Sequence, residues 1–223
     1  MNPITIEMSL SGFLFLFILV LNIAMAGFGK KIEIGDYDLV AKLQNFNNHP
    51  KKFKISILLG LVEHVSIIML AIMLFVVFSP YNIILGMIWL FSRIGEGLIF
   101  IYNEIEYRKL LNIARKYTNS NATEKDSLIN LSGTILQTDK SRYNVAIILF
   151  SIGTLAYSIL FVIYGVVPSF IGWLGILTAI SLGLSSALLL VKPNFQALLV
   201  FGLLAIAFEI LIGGWLLIFS FSI

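Results

Sequence analysis

The sequence predicts an all-α membrane protein, a six-transmembrane-helix bundle with both termini on the same side, and three observations predict it. Of the 223 residues, 59% are hydrophobic and only 12% charged, with a mean hydropathy of +0.97. Soluble domains carry roughly 45–50% apolar and about 25% charged residues, so this chain has too little polar surface to face water. Six apolar runs are long enough to cross a bilayer, and the lysines and arginines between them fall only in alternate connections. Lipid is the predicted solvent.

A spanning helix needs about 20 predominantly apolar residues, because roughly 30 Å of hydrocarbon is crossed at 1.5 Å per residue. The runs that meet this are residues 10–29, 55–78, 82–103, 143–164, 168–191 and 197–220, and they are read as one domain covering residues 1–223. Ser79-Pro80-Tyr81-Asn82 separates the second and third runs. Proline fixes φ and asparagine tolerates tight turns, so these two helices should form an antiparallel hairpin. Gly165 to Pro168 breaks the fourth run from the fifth, and Lys192-Pro193-Asn194 breaks the fifth from the sixth. There is no convincing internal repeat, which leaves an inverted-repeat transporter unsupported.

Two connections are polar, residues 30–54 and 104–142. The first includes a short amphipathic stretch, Tyr37 to Phe46. In the second, Ile105 to Lys116 is expected to extend the third helix out of the membrane. Asn119 to Thr123 reads as a loop, followed by a second short helix started by Thr123.

The charge distribution orients the chain. Lys30, Lys31, Lys42, Lys51, Lys52 and Lys54 lie in the first connection. Arg108, Lys109, Arg115, Lys116, Lys125, Lys140 and Arg142 lie in the third, and Lys192 in the fifth. With six spans, all fourteen of these cations share one face. The positive-inside rule then places connections 30–54, 104–142 and 192–196 in the cytoplasm and the N- and C-termini outside a cell membrane crossed several times. Asn121-Ala122-Thr123 and Asn130-Leu131-Ser132 are glycosylation sequons, which this topology makes inert. Ala24-Met25-Ala26-Gly27 imitates a signal-peptidase site, but residues 1–9 contain Glu7 and no basic residue, so the first run is expected to stay as an uncleaved helix.

Several functions are excluded. The absence of cysteine removes disulfides, thiolate metal sites and cysteine nucleophiles. The formal charge of +3 does not indicate nucleic-acid binding, because loop cations in such a chain orient it in the bilayer. Every lysine lies outside the spans, so a retinal-type Schiff base has no candidate. No nucleotide loop or nucleophile elbow is present, and no cofactor is expected.

Charged side chains inside a span cost at least about 2.5–3.5 kcal/mol each, so they usually face the bundle interior and find partners. Five candidates sit near mid-membrane: Glu63 and His64 on the second helix, Arg93 and Glu96 on the third, and Glu209 on the sixth. Counted from the cytoplasmic ends, Glu63, His64 and Glu96 lie about 12–18 Å deep, and Arg93 and Glu209 roughly 22–24 Å, giving two layers. Arg93 and Glu96 are three apart and share a helix face. One guanidinium cannot neutralise three carboxylates, so at least one carboxyl should hold a proton or a cation should be bound. Arg93 is expected to pair with Glu209 or Glu96. A metal site at Glu63, His64 and Glu96 lacks any diagnostic spacing and is not expected.

Weaker features have plain readings. Gly95 and Gly97 flank Glu96, and Gly213-Gly214 follow Glu209, where small residues permit close helix approach. Trp89, Trp173 and Trp215, with Tyr81, Tyr102 and Tyr164, read as interfacial anchors. Tyr157, Thr154, Asn144 and Ser181 are inward-facing polar candidates, and His49 is expected to be solvated.

Three segments resemble a known family. Arg93-Ile94-Gly95-Glu96-Gly97 is similar to the Arg-x-x-Glu segment of the membrane proteins grouped as domain of unknown function 4386. Pro168 to Gly175 resembles the segment entering that family's fifth helix, and Glu209 to Leu217 resembles its C-terminal Glu followed by Trp-Leu-Leu. The resemblance covers nearly the whole chain and implies a polytopic membrane protein with no assigned activity. It carries over only Arg93, Glu96 and Glu209 as matching positions.

The leading expectation is a multi-pass protein whose polar core binds or transports a proton, a small molecule or a lipid, with the bilayer as its constant partner. The alternative is a non-catalytic scaffold subunit fitted to a membrane-protein partner, the buried ion pair serving as glue. A third reading, an intramembrane enzyme using Glu63, Glu96 or His64 as acid or base, ranks below both.

Overall fold

The computed structural model describes residues 3–28, 38–192 and 198–219. Gly29, Lys30, Lys31, Tyr37, Pro193, Asn194, Ala197 and Ser220, which the span and connection boundaries above use, lie outside them. The described residues form seven helices: α1 (Pro3–Gly27), α2 (Leu39–Asn48), α3 (Pro50–Phe78), α4 (Ile83–Asn119), α5 (Ala122–Tyr164), α6 (Ser169–Val191) and α7 (Leu198–Phe219). Six of them, all except α2, are long and apolar enough to cross a membrane. The protein is therefore an all-helical, multi-pass membrane protein, as its composition requires.

The boundaries follow from local chemistry. Asn82 accepts hydrogen bonds at Oδ1 from the backbone N–H groups of Ile84 and Leu85, both 3.1 Å away, and so satisfies donors that the first turn of α4 leaves open. Asn121 does the same for α5 through Glu124 N at 3.0 Å. Asp38 caps α2 through Ala41 N at 3.0 Å. Pro50 opens α3, where its missing N–H costs nothing. Gly165 ends α5 in the left-handed region, at φ 61°.

The expected short helix starting at Thr123 is not a separate element. The loop between α4 and α5 is confined to Ser120 and Asn121, and α5 runs unbroken for 43 residues into the fourth span. Asn121 is the stronger cap, and residues 122–142 contain no proline to interrupt the helix. At 1.5 Å per residue α4 is about 55 Å long and α5 about 64 Å, so each projects well beyond the hydrocarbon. This projection carries its own apolar core. Leu43 and Phe46 of α2, three residues apart on one face, pack against Phe53 and Ile57 of α3, Leu110 and Ala114 of α4, and Leu136 of α5.

The six long helices close a ring. α1 packs on α3, α3 on α4, α4 on α5, α5 on α6, α6 on α7, and α7 back on α1. Two contacts in that ring depend on glycine. A Cβ at Gly12 would come within 2.6 Å of both Gly213 O and Leu217 N, so α1 and α7 cross nearly backbone to backbone. Between α5 and α6, Gly175 admits the Ser158 hydroxyl, and Gly172 sits against Val162. A Cβ at Gly214 by contrast would meet none of the described residues within 4 Å, so only the first glycine of that pair serves close packing.

At the end of the ring where α3 turns into α4, Phe78, Trp89, Tyr157 and Phe161 fill the centre with edge-to-face rings. This corrects the reading of Trp89 as an interfacial anchor: it is buried, and its Nε1 donates to Ala71 O at 3.1 Å. An interior partner for the indole N–H outweighs the headgroup region here. Trp173, Tyr81, Tyr102 and Tyr164 are exposed on the outer surface, as expected of anchors. Most other outward positions within the spans are apolar, including Val20, Leu58, Phe91, Leu98, Ile163 and Leu184, with the exposed Asn22 an exception. In a membrane protein this is the face that meets acyl chains.

Candidate functional site

One stripe of α4 carries the polar interior. Trp89, Arg93, Glu96, Phe100, Asn103 and Glu104 recur at three- and four-residue steps, so they share the face turned toward α3 and α5. On α3, the inward stripe through Ser56, Gly60, Glu63, His64 and Ile67 meets it. Geometry divides the charged groups into two layers, though not the two that depth counting suggests.

The first layer spans α1, α3 and α4. Asn22 Nδ2 donates to Glu63 Oε1 at 2.8 Å. His64 Nε2 lies 3.3 Å from Glu104 Oε1, and His64 Nδ1 lies 4.0 Å from Glu63 Oε2. The imidazole therefore stands between two carboxyls from different helices, stacked on Phe100 with ring centroids 4.9 Å apart. Glu63 and His64 are nearly fully buried, and Glu104 is 0% exposed. Gly60 makes room for this arrangement, because a Cβ there would run into the Glu104 carboxyl.

The second layer centres on Arg93, which is 1% exposed. Its Nη1 donates to Glu96 Oε2 at 2.7 Å, a charge-assisted bond within one helix face. The guanidinium lies between the rings of Trp89, 5.2 Å away, and Phe150, 4.7 Å away. Gly153 of α5 accommodates its stem: a Cβ there would be 3.3 Å from Arg93 Cγ. Glu209, half-buried on α7, acts electrostatically on both Arg93 and Glu96. One guanidinium thus serves two carboxyls, and a net negative charge is avoided only if that layer holds a proton or a cation.

Glu96 belongs with Arg93, not with Glu63 and His64 as the depth count has it. A direct ion pair three residues along α4 outranks the small depth difference between neighbouring turns. The place beside His64 is taken instead by Glu104, which the sequence reading puts at the start of a polar connection. The stripe 93, 96, 100, 104 was the available signal, since it continues the Arg93 face without a break. Asn22 was missed as well, the one amide within the described part of the first span. Tyr143 is a third addition: it lies within electrostatic reach of both Glu63 and Glu96, and its ring centroid is 5.8 Å from that of Phe100. Of the uncharged polar candidates, Tyr157, Thr154 and Asn144 are buried and Ser181 is half-buried. His49 is exposed. Among the described residues, no three His, Asp or Glu side chains are placed to hold a metal ion.

The family model for a domain of unknown function, DUF4386, matches residues 10–219. No curated protein and no solved structure matches the chain.

Proposed function

The chain belongs to the DUF4386 family, and from that premise we propose that it is a membrane protein whose Glu63–His64–Glu104 chain takes up and releases a proton in transport or sensing. The observation that carries this reading is the imidazole set between two buried carboxyls contributed by α3 and α4. Histidine is the side chain whose ordinary titration falls between about pH 5 and 8. A proton gained there alters the attraction between two helices, which is how a local charge change becomes a movement of the bundle. A small cationic ligand would satisfy the same carboxyls.

The Arg93–Glu96 pair supports a different role. It is held between two aromatic rings and against Gly153, so packing leaves little room for exchange. We read that layer as the glue of the bundle and the His64 layer as the working site. The aromatic filling around Tyr157 lies between these layers and the end where α3 turns into α4. It favours access from the other end, where the loop cations gather. By the positive-inside rule we place that end, with connections 30–54, 104–142 and 192–196, in the cytoplasm and both termini outside the cell membrane.

The test is the pH dependence of melting between pH 5 and 8 for the full chain in lipid nanodiscs. Wild type should show a pH-dependent shift that His64→Gln and Glu104→Gln each reduce. His49→Gln, at the other histidine, should leave it intact. A wild-type profile retained by His64→Gln would sink the reading.

A further inference from the structure

The outer face of α4 changes character with depth. Phe91, Leu98, Tyr102, Ile105 and Lys109 follow one another at helical steps of three, four and seven residues, and all are exposed. Acyl-facing side chains give way to a tyrosine and then to an ammonium, the order expected where a helix leaves hydrocarbon for headgroups. Tyr102 lies about 29 Å along α4 from Ile83, close to the full hydrocarbon thickness. On the adjacent helix α5 the same change occurs: Ile152 and Val145 are exposed on the face that ends at Arg142.

Arg142 and Tyr102 meet at this boundary. The guanidinium lies over the tyrosine ring, 4.6 Å from its centroid, and joins the two helices on their lipid-facing side. Lys109 is held in place by Glu106, whose carboxylate oxygens accept from Nζ at 2.7 and 3.0 Å. It lies within electrostatic reach of both Arg142 and Tyr102. Two cations are thus near each other beside an exposed ring, one of them paired with Glu106, and Arg108 and Lys140 flank them in sequence. Their mutual repulsion is relieved by an anion placed at headgroup depth.

We propose that Tyr102, Lys109 and Arg142 form a binding site for the phosphate-bearing headgroup of an anionic phospholipid on the outer face of α4 and α5. The guanidinium and ammonium take the phosphate oxygens, the phenol hydroxyl offers a further donor, and Leu98, Val145 and Ile152 lie along the acyl chains below. A bound lipid would bridge the two helices that carry Glu104, Glu96 and Tyr143. The site stands independently of whether His64 exchanges a proton.

The experiment uses the full chain in detergent, titrated with phosphatidylglycerol, phosphatidylcholine or inorganic phosphate. Bound lipid is counted by native mass spectrometry, and melting is followed in parallel. Phosphatidylglycerol should bind and raise the melting temperature, with little effect from phosphatidylcholine. Lys109→Ala with Arg142→Ala should weaken phosphatidylglycerol binding roughly tenfold or more. Lys109→Arg with Arg142→Lys, which keeps both charges, should retain most of it and guards against a folding defect. An equal effect from inorganic phosphate would identify a free anion as the ligand and overturn the lipid assignment. Undiminished phosphatidylglycerol binding by the double alanine variant would overturn the site.

Discussion

Gly60 of α3 lies directly beneath the Glu104 carboxyl of α4, so that a single added methyl group would occupy the place of that carboxyl. The missing side chain is what lets a fully buried carboxylate reach His64 Nε2 at 3.3 Å.

Gly60→Ala should therefore cost more than a helix-interior Gly→Ala exchange, which by propensity alone stabilises by up to about 1 kcal/mol. Overpacking of a buried position typically costs about 1–3 kcal/mol. The cause can be isolated with a double-mutant cycle. In a Glu104→Ala background the obstruction is gone, and Gly60→Ala should become neutral or favourable in melting experiments. Additive losses in the two backgrounds would show that something other than Glu104 limits the site.

Arg93→Ala is expected to destabilise the protein more than Glu63→Ala. Removing the guanidinium leaves Glu96 without its 2.7 Å partner, removes the cation acting on Glu209, and opens a hole between Trp89 and Phe150. Breaking a buried pair in this way typically costs about 3–5 kcal/mol. Glu63→Ala loses one hydrogen bond from Asn22 and one neighbour of His64, a change on the order of 1–3 kcal/mol. Melting in detergent at fixed pH compares the two, and equal or reversed losses would refute the ranking.

How much of this was legible in the sequence depends on the length scale of each signal. The spans were legible because a run of twenty apolar residues has no other stable setting, and α3, α4 and α6 end within a residue or two of the turn residues that mark them. The extension of α4 beyond the bilayer was legible in Ile105 to Lys116, where apolar and charged residues alternate at helical spacing. The continuity of α5 was not, since hydropathy sets residues 122–142 apart from the span that follows, and only the lack of a proline between them signals one unbroken helix. Within the interior, Arg93, Glu96, Glu63 and His64 stood out because charge in a span is rare. Glu104 did not, because it occupies the residue at which hydropathy falls, and position in a profile says nothing about which side of the helix is buried. Its burial is set by α3 and by the absent Cβ of Gly60, a contact between residues more than forty apart in sequence. Trp89 was misplaced for a related reason: an indole suits an interface or a core equally, and only the Ala71 carbonyl of the neighbouring helix, which accepts from its N–H, decides between them.

The α1–α7 crossing gives a comparison between neighbours in sequence. Gly213 faces α1, where a Cβ would lie 2.9 Å from Phe15 Cβ, whereas Gly214 faces open space. Gly213→Ala should lower the melting temperature, with a loss of about 1–3 kcal/mol if α1 and α7 cannot separate. Gly214→Ala should be neutral or raise stability slightly, because alanine is the better helix former. Gly12→Ala, which meets backbone rather than side chain on α7, should be the most damaging of the three. A loss at Gly214 equal to that at Gly213 would contradict the crossing.

Tyr157 tests the aromatic filling itself. Its ring lies 4.4 Å from Trp89, 5.5 Å from Phe161 and 5.8 Å from Phe78, centroid to centroid, while its buried hydroxyl has no hydrogen-bond partner among the described residues. The ring and the hydroxyl should therefore have opposite effects on stability. Tyr157→Ala removes the ring from a packed interior and should cost on the order of 3–5 kcal/mol. Tyr157→Phe keeps the ring and discards a polar group that burial penalises, so it should be neutral or stabilising by up to about 1 kcal/mol. Thermal unfolding of the two variants beside wild type separates the contributions. A marked loss in Tyr157→Phe would mean that the hydroxyl is satisfied by bound water or ligand, and that the plugged end of the bundle is wetter than its lining of Phe78, Trp89 and Phe161 implies.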